Sequence, residues 1–170
     1  MVITRRKFCL AVAGLAALGA RPALAQGWRT YRNPRFGTSI EYPDRFRPGR
    51  QPENGAGLGF AGADGASFSV WGSHNALEHN LAGLEAFTRE NRSAGERITY
   101  DARGSDWFVI AGTAGDQIFY ERYLLSHRGA IVNGFAIRYP ARLRKEYDAI
   151  VTRMSRSFRA GRGADTEGNP

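Results

Sequence analysis

The chain has 170 residues, of which 24 are Lys or Arg and 16 are Asp or Glu, and its only cysteine is Cys9. This length suits one domain with an ordinary hydrophobic core, and a lone cysteine excludes a disulfide framework or a site built from several thiolates. Without the four basic residues among the first 25, the net charge falls from +8 to +4. Charges of both signs are interspersed, so the composition does not predict a nucleic-acid-binding protein.

The first 25 residues have the order of an export signal. Arg5 and Arg6 precede an apolar stretch, Phe8–Ala20, and an Ala-Leu-Ala sequence ending at Ala25 is a cleavage pattern for signal peptidase. That stretch would form about 20 Å of helix, too short for the roughly 30 Å hydrocarbon core of a membrane. The segment TRRKFCL resembles the twin-arginine export motif, with a Sec signal as the alternative. We expect cleavage after Ala25 and a periplasmic or secreted protein whose only membrane contact is this signal.

The next part of the chain predicts strands followed by a helix. Residues 28–43 predict two short strands joined by a turn, and residues 58–72 predict a hairpin around an Asp-Gly pair. Asn75 and Glu78 match a capping box, so a helix is expected to begin at Asn75 and to continue until Gly95. The apolar positions at helical spacing are Leu77, Leu81, Leu84 and Phe87.

The second half predicts an antiparallel meander and a closing helix. Four segments, RITYDA, DWFVIAG, QIFYERYLL and AIVNGFAIRY, are separated by connections short enough for hairpins. An apolar stripe after Pro140 predicts the helix, and it consists of Leu143, Tyr147, Ile150, Val151, Met154 and Phe158. We therefore expect an α+β domain over 26–158, with an antiparallel sheet of about six to eight strands covered by two helices, and a disordered tail over 159–170.

Both ends of this domain resemble PsbP-like proteins. The segment YRNPRFGTSIEYPDRF is similar to the opening of that superfamily, and a strand ending in IRYP, a helix and SRSF at 155–158 are similar to its closing part. The resemblance covers most of residues 28–158 and implies an antiparallel sheet with helices packed over it, an α/β/α sandwich. It also implies a binding or assembly role without catalysis. The photosystem role of the extrinsic P protein is not carried over, because these motifs are strand and turn signatures.

The sequence carries no recognisable catalytic or cofactor motif. His74 and His79 lie in HNALEH, where three residues separate the first histidine from the glutamate, whereas an inverted zinc-protease motif needs two. His127 lies in a predicted turn, where a solvated polar residue is expected. The segment GLGFAG precedes a strand instead of opening a helix, so it lacks the context of a dinucleotide-binding loop. We therefore predict no metal and no cofactor, and an enzyme is the less favoured class.

The strand QIFYERYLL suggests a binding surface. A turn at 128–129 would place Arg122 opposite Phe135, and a turn at 114–115 would place Trp107 opposite Arg122. An arginine framed by aromatic rings is a seat for an anionic or aromatic ligand. The alternative is an arginine whose stem packs on core aromatics while its guanidinium stays in water. The members of this predicted site, the Arg122 seat, are Trp107, Tyr120, Arg122 and Phe135.

Three functions remain compatible with the sequence. The first is an exported, non-enzymatic binding or accessory protein of the cell envelope, a monomer that recognises a protein or an envelope component. The second is a small periplasmic hydrolase or lyase with a polar pocket around Arg122 and Tyr120. The third is a carrier that holds a small apolar ligand between sheet and helix. Trp71 and Trp107 are expected to serve the core.

Overall fold

A computed structural model describes residues 27–162, so the predicted export signal and its cleavage site lie outside the described residues. The strands are β1 Trp28–Arg32, β2 Ser39–Pro43, β3 Arg47–Pro48, β4 Gly57–Ala61, β5 Ser67–His74, β6 Glu96–Arg103, β7 Trp107–Ala114, β8 Gln117–Ser126 and β9 Ile131–Pro140. The helices are α1 Leu81–Glu90 and α2 Arg144–Ser157. Within this part of the chain, neither helix is long and apolar enough to cross a membrane.

Seven strands form one antiparallel sheet in the order β3-β4-β5-β9-β8-β7-β6, and β1 and β2 pair as a separate hairpin. Helix α2 and the hairpin pack on one face of the large sheet, whereas α1 packs on the other face. The predicted α+β class, with an antiparallel sheet under two helices, is confirmed. Each helix covers only part of its face, and the uncovered parts form the grooves described below.

The larger core lies on the α2 side of the sheet. The predicted stripe of α2 is buried, with Tyr147 and Met154 at 0% exposure. Tyr147 stacks on Tyr139 of β9 at 4.6 Å between ring centroids, and Phe60 of β4 stacks on Phe68 of β5 at 4.3 Å. Extended aromatic contacts of this kind bury a large apolar area. They fix α2 across the middle of the sheet.

Helix α1 is capped five residues later than the sequence predicts. Its N-cap is Asn80, whose side chain accepts a hydrogen bond from the Gly83 N–H at 2.8 Å. The predicted capping box is wrong because Glu78 has a left-handed φ of 52°, which a helix cannot contain. Asn75 instead holds the preceding loop, since its amide nitrogen donates to the carbonyls of His79 and Gly129, both at 2.8 Å. The helix ends at Glu90, before the predicted Gly95.

The ordered domain extends beyond residue 158, where the predicted tail 159–170 was expected to begin. Arg159 and Ser39 exchange two backbone hydrogen bonds, both 2.9 Å long, which attach the chain to the edge of β2. Gly161 is also buried. The predicted boundary is therefore too early by at least three residues, and residues 163–170 lie outside the described part of the chain.

Candidate functional site

The structure brings together the four residues of the Arg122 seat, although one strand register differs from the prediction. Arg122 lies opposite Phe135, as predicted. Trp107, however, lies opposite Leu124, so the predicted pairing of Trp107 with Arg122 is wrong. The turn between β7 and β8 lies one residue later than expected, with Gly115 in the left-handed region at φ 61° as its first residue. A glycine tolerates this conformation without steric cost, which explains the position of the turn.

Trp107 nevertheless contacts Arg122 diagonally across the two strands. Residues 122 and 124 point to the same face of β8, so the ring opposite Leu124 can reach its neighbour two positions away. The Arg122 guanidinium carbon lies 4.8 Å from the centroid of the Trp107 ring, a cation–π distance. Tyr120 lies 5.7 Å from Phe135, ring to ring. The predicted aromatic frame around the arginine therefore forms.

This seat is filled by the protein's own helix. The Nη1 atom of Arg122 donates to the carbonyl and to the hydroxyl of Ser155, both at 2.9 Å, in the last turn of α2. The Tyr120 hydroxyl bonds the same Ser155 hydroxyl at 2.8 Å, and burial raises the Tyr120 pKa although this bond opposes the shift. Phe135 is fully buried. The arrangement ties β8 to α2, and a ligand at these residues stays a prediction.

The opposite face of the sheet carries an open cleft of about 480 Å³. Its apolar wall combines the half-buried Trp71 of β5 with Leu77 and Phe87, which are 63% and 43% exposed. The cleft exists because α1 begins late and packs over β7, where Leu81 and Leu84 meet Phe108 and Ile110, so that Trp71 of β5 stays open to the cleft. We call this feature the Trp71 cleft.

Trp71 is fixed in place by its neighbours on the sheet. Its ring lies over Gly134 of β9, where a Cβ atom would stand 2.3 Å from the indole, so only glycine fits there. The edge of Tyr123 on β8 meets the same ring at 5.9 Å between centroids and 75° between planes. A preformed aromatic surface costs little side-chain entropy when a partner binds. The cleft therefore has a rigid floor.

Beside the apolar wall, an ion-pair network lines the cleft. Arg92 contacts Glu96 and Glu121, each at 2.7 Å, and the Tyr123 hydroxyl donates to Glu121 at 2.9 Å. Arg138 of β9 pairs with Glu96. The Arg92 guanidinium also lies over the Phe119 ring, 4.4 Å from its centroid. The two arginines and two glutamates cancel in charge, so the cleft is electrically neutral.

The pKa shifts in this network hold each group in its ordinary charge state. Burial and the Glu121 carboxylate raise the Tyr123 pKa, so the phenol stays protonated. Burial alone would raise the pKa of Glu96, but the hydrogen bond from Arg138 and the charge of Arg92 outweigh it and the pKa lies below its ordinary value. A general acid or base works best with a pKa near the operating pH. Both groups are displaced away from that range, which suits structure and binding more than proton transfer.

The three histidines lie around a neighbouring open cavity of about 930 Å³, lined by His74, His79 and His127. Three non-glycine residues of the described chain have left-handed φ values, and all of them line this cavity: Glu78, His127 and Arg128. Within residues 27–162, no group of three or more His, Cys, Asp or Glu side chains is placed to hold a metal ion. The three histidines therefore have only their position in common, since all of them lie at one end of the sheet.

Comparison with known proteins supports the architecture. No family model matches the sequence, and no curated protein matches it. Among solved structures, the chain is similar to cyanobacterial PsbP (CyanoP) from Synechocystis sp. PCC 6803, with a TM-score of 0.61 and 12% identity over 84% of this chain and 98% of that one. The chain has the PsbP-like fold. It is also similar to the Ran-binding protein Mog1p from Saccharomyces cerevisiae, with a TM-score of 0.55 and 9% identity over 79% and 96% of the two chains.

At such low identities, the likeness establishes the PsbP-like fold alone, so a function must be argued from this chain's own surfaces.

The sequence predicts Trp71 in the core, whereas the structure places it on the floor of an open cleft. The segment SFSVWGS does indicate this position of Trp71. Side chains alternate between the two faces of a strand, so Trp71 lies on the same face as Ser67, Ser69 and Ser73. Phe68 and Val70 occupy the other face and are buried.

Proposed function

We propose that this chain is an exported, non-enzymatic binding protein of the cell envelope, and that its Trp71 cleft accepts an apolar group of a partner protein. The observation that carries the proposal is the grouping of Trp71, Leu77 and Phe87 around one open cleft. Three large apolar side chains of the described residues are strongly exposed, and two of them, Leu77 and Phe87, line this cleft. Exposed apolar groups that cluster beside polar ones are typical of interaction sites.

The chemistry of the cleft favours binding over catalysis. Its ionised groups neutralise one another, and the pKa values of Glu96 and Tyr123 are shifted away from neutrality. An enzyme built around Arg122 is less well supported, because the Nη1 atom of Arg122 and the hydroxyl of Tyr120 already bond Ser155. A carrier of a small apolar ligand would use the same cleft, and the experiment below separates it from partner binding.

Site-specific photo-crosslinking tests this function. A photo-reactive amino acid at position 77 should give one discrete protein adduct in the exported fraction, whereas the same group at Arg47, on the distant strand β3, should give none. Adding Trp71→Ala should reduce the adduct roughly tenfold or more, since a central tryptophan commonly supplies at least 2 kcal/mol of binding energy. Circular dichroism confirms that the variant is folded, and Phe87→Ser provides a second, surface-only test.

Two outcomes would overturn the proposal. An adduct that persists at full strength in both variants places the contact outside the cleft. Native mass spectrometry that finds a small apolar molecule bound to the wild type, and lost from Trp71→Ala, establishes the carrier instead.

A further inference from the structure

Positive charge is concentrated in and around helix α2. Residues 141–162, which comprise α2 and its flanking segments, contain seven basic and two acidic residues. Their net charge of +5 exceeds the +4 of the whole chain without its first 25 residues, so the remainder carries only −1. A protein whose charge is separated in this way turns its charged side toward a surface of opposite sign.

Both acidic residues of this segment lie on the flanks of α2, beside arginines. On the flank toward the β1-β2 hairpin, Arg153 contacts Glu41 of β2 at 2.9 Å, and Glu146 pairs with an arginine of the loop before β3. On the other flank, Asp148 follows Arg144 by one helical turn, and both line a groove of about 500 Å³ that extends toward β6. The negative charges of the segment are therefore offset at its sides.

The outer side of α2 keeps its positive charge. Lys145 and Arg156 are three helical turns apart, about 17 Å along the axis, so they share one face of the helix, opposite the buried stripe. With Arg142 before the helix and Arg159 after it, they form what we call the α2 basic face. All four side chains are exposed, and none forms an ion pair with a carboxylate of residues 27–162.

An aromatic side chain lies beside the α2 basic face. The Trp28 ring of β1 is half-buried, and the guanidinium carbon of Arg153 lies 4.1 Å from its centroid. Strand alternation places Trp28 on the same side of the hairpin as Glu41, the partner of Arg153. A partly exposed tryptophan suits the headgroup region of a membrane, which accommodates both its apolar ring and its N–H group.

The shape of the α2 basic face distinguishes between anionic partners. The outer side of a single helix is convex, and only the small side chains of Ala149 and Thr152 lie between Lys145 and Arg156. A polymer fits such a surface only if its fixed charge spacing matches, whereas anionic lipid headgroups move laterally and gather at each cation. Neutral lipids can occupy the space next to Asp148. A lipid surface therefore matches this distribution of charge.

We propose that the α2 basic face binds a membrane that contains anionic lipids. The four basic side chains contact headgroup phosphates, and Trp28 rests among the headgroups. Within residues 141–162 no large apolar side chain is exposed, so the contact is electrostatic and weakens as the ionic strength rises. The Trp71 cleft lies on the opposite face of the sheet, so the bound protein presents it away from the membrane. This activity does not depend on the proposed partner-protein site.

Co-sedimentation with phospholipid vesicles at low ionic strength tests the proposal. The vesicles contain equal parts of phosphatidylcholine and phosphatidylglycerol, or phosphatidylcholine alone as the reference. A chain that begins at Gln26 is used, because the core lies within residues 27–162 and the predicted signal would itself enter lipid. It should bind the anionic vesicles and not the neutral ones. Lys145→Gln/Arg156→Gln should lower the partition coefficient roughly twentyfold, since each basic residue near an anionic surface contributes about fivefold.

A matched control removes the same charge from the other side of the molecule. Arg103 lies near Glu85 of α1, Arg128 lines the histidine cavity, and both are exposed. Arg103→Gln/Arg128→Gln should therefore change the partition coefficient by less than about twofold. Brominated lipid, which quenches indole fluorescence at short range, should quench the wild type and affect Trp28→Phe much less, because Trp71 faces away from the membrane. Trp71→Ala should bind vesicles as the wild type does.

Four results would overturn the inference. An equal loss in the two double variants means that net charge alone attracts the protein to lipid. Undiminished quenching of Trp28→Phe means that another face meets the membrane. Double-stranded DNA that binds more tightly than the anionic vesicles, with the same dependence on Lys145 and Arg156, assigns the face to a soluble polyanion. Absence of wild-type binding to the anionic vesicles removes the site altogether. Thermal unfolding verifies that each variant is folded, and the substituted basic side chains are all exposed.

Discussion

Arg122 joins strand β8 to the last turn of α2. Its Nη1 atom bonds the Ser155 carbonyl, one of the terminal helix carbonyls that lack an intrahelical partner. Its guanidinium plane also lies against Trp107. A cation near the C-terminus of a helix further complements the helix dipole. The residue therefore combines three favourable interactions at one junction.

We predict that Arg122→Met lowers the free energy of unfolding by about 2 kcal/mol, because it removes two charge-assisted hydrogen bonds and leaves the Ser155 carbonyl without this donor. Arg122→Lys should lose about half as much, since an ammonium keeps the charge but not the planar contact with Trp107. Urea denaturation measures both changes, with Arg97→Met on the exposed side of β6 as control. A stable Arg122→Met protein would contradict this role and would return Arg122 to the class of ligand-binding residues.

Individual residues were predicted correctly where strand alternation or a correctly centred turn decided the outcome. The faces of β8 follow from a period of two. The pairing of Arg122 with Phe135 is correct because the connection over 127–130 is centred on the predicted turn at 128–129. The pairing of Trp107 failed because it depended on a turn position, and a one-residue difference in a two-residue turn shifts the partner strand by two positions. The aromatic contact survived because a diagonal neighbour on the same face can still reach Arg122.

At the scale of elements, the start of α1 determines whether the Trp71 cleft exists. Asn75 and Asn80 are both good N-cap residues, and the apolar spacing that begins at Leu77 suits either start. The structure uses Asn80, and the loop before it turns away through the left-handed Glu78. Sequence could not decide between two equivalent caps, because the choice depends on the hydrogen bond from Asn75 to Gly129, 54 residues away.

The ion-pair network joins four elements of the sheet layer: the segment after α1 with Arg92, β6 with Glu96, β8 with Glu121 and β9 with Arg138. The pKa of Glu96 lies below its ordinary value of 4.5, although its burial acts in the opposite direction. A lowered pKa in the folded state means that the unfolded chain binds the proton first. The stabilisation is therefore complete above about pH 4.5 and is lost as the pH falls through the folded-state pKa.

We predict that Glu96→Gln lowers the free energy of unfolding at neutral pH by about 2 kcal/mol, since Arg92 and Arg138 lose a charged partner. The difference from the wild type should stay constant above about pH 4.5 and shrink as the pH falls further, because the wild-type carboxyl takes up a proton as the pH passes through its lowered pKa. Urea denaturation at several pH values measures this, and Glu53→Gln in the exposed loop before β4 is the control. A difference that stays constant at these lower pH values as well would show that the charge of Glu96 is not responsible.

At the scale of the whole molecule, the order of strands, helix, meander and helix predicted the architecture that the structure has. Hairpin-length connections leave few ways to arrange four consecutive strands, and the two amphipathic stripes have only the two faces of that sheet to cover. The order of elements alone does not locate binding sites. The Trp71 cleft is the part of its face that the short helix α1 leaves bare, and its extent depends on helix length and packing angle.

The export prediction also belongs to the whole molecule. The chain's only cysteine, Cys9, lies within the predicted signal, so the domain needs no oxidation to fold. It can therefore complete its core in the cytoplasm, and the twin-arginine route carries proteins that are already folded. Such a route requires the arginine pair itself, whereas a Sec signal requires only positive charge ahead of the apolar stretch.

Replacing Arg5 and Arg6 by lysine separates these routes because it keeps the charge and removes the pair. We predict that Arg5→Lys/Arg6→Lys leaves the full-length precursor in the cytoplasm, and that the single change Lys7→Arg leaves export unchanged. Cell fractionation with immunoblotting measures the result, since cleavage after Ala25 shortens the chain by 25 residues. Mature protein outside the cytoplasm in the double variant would assign the signal to the Sec route. Full-length protein retained by the wild type would contradict export itself, and with it the envelope setting of the proposed binding protein.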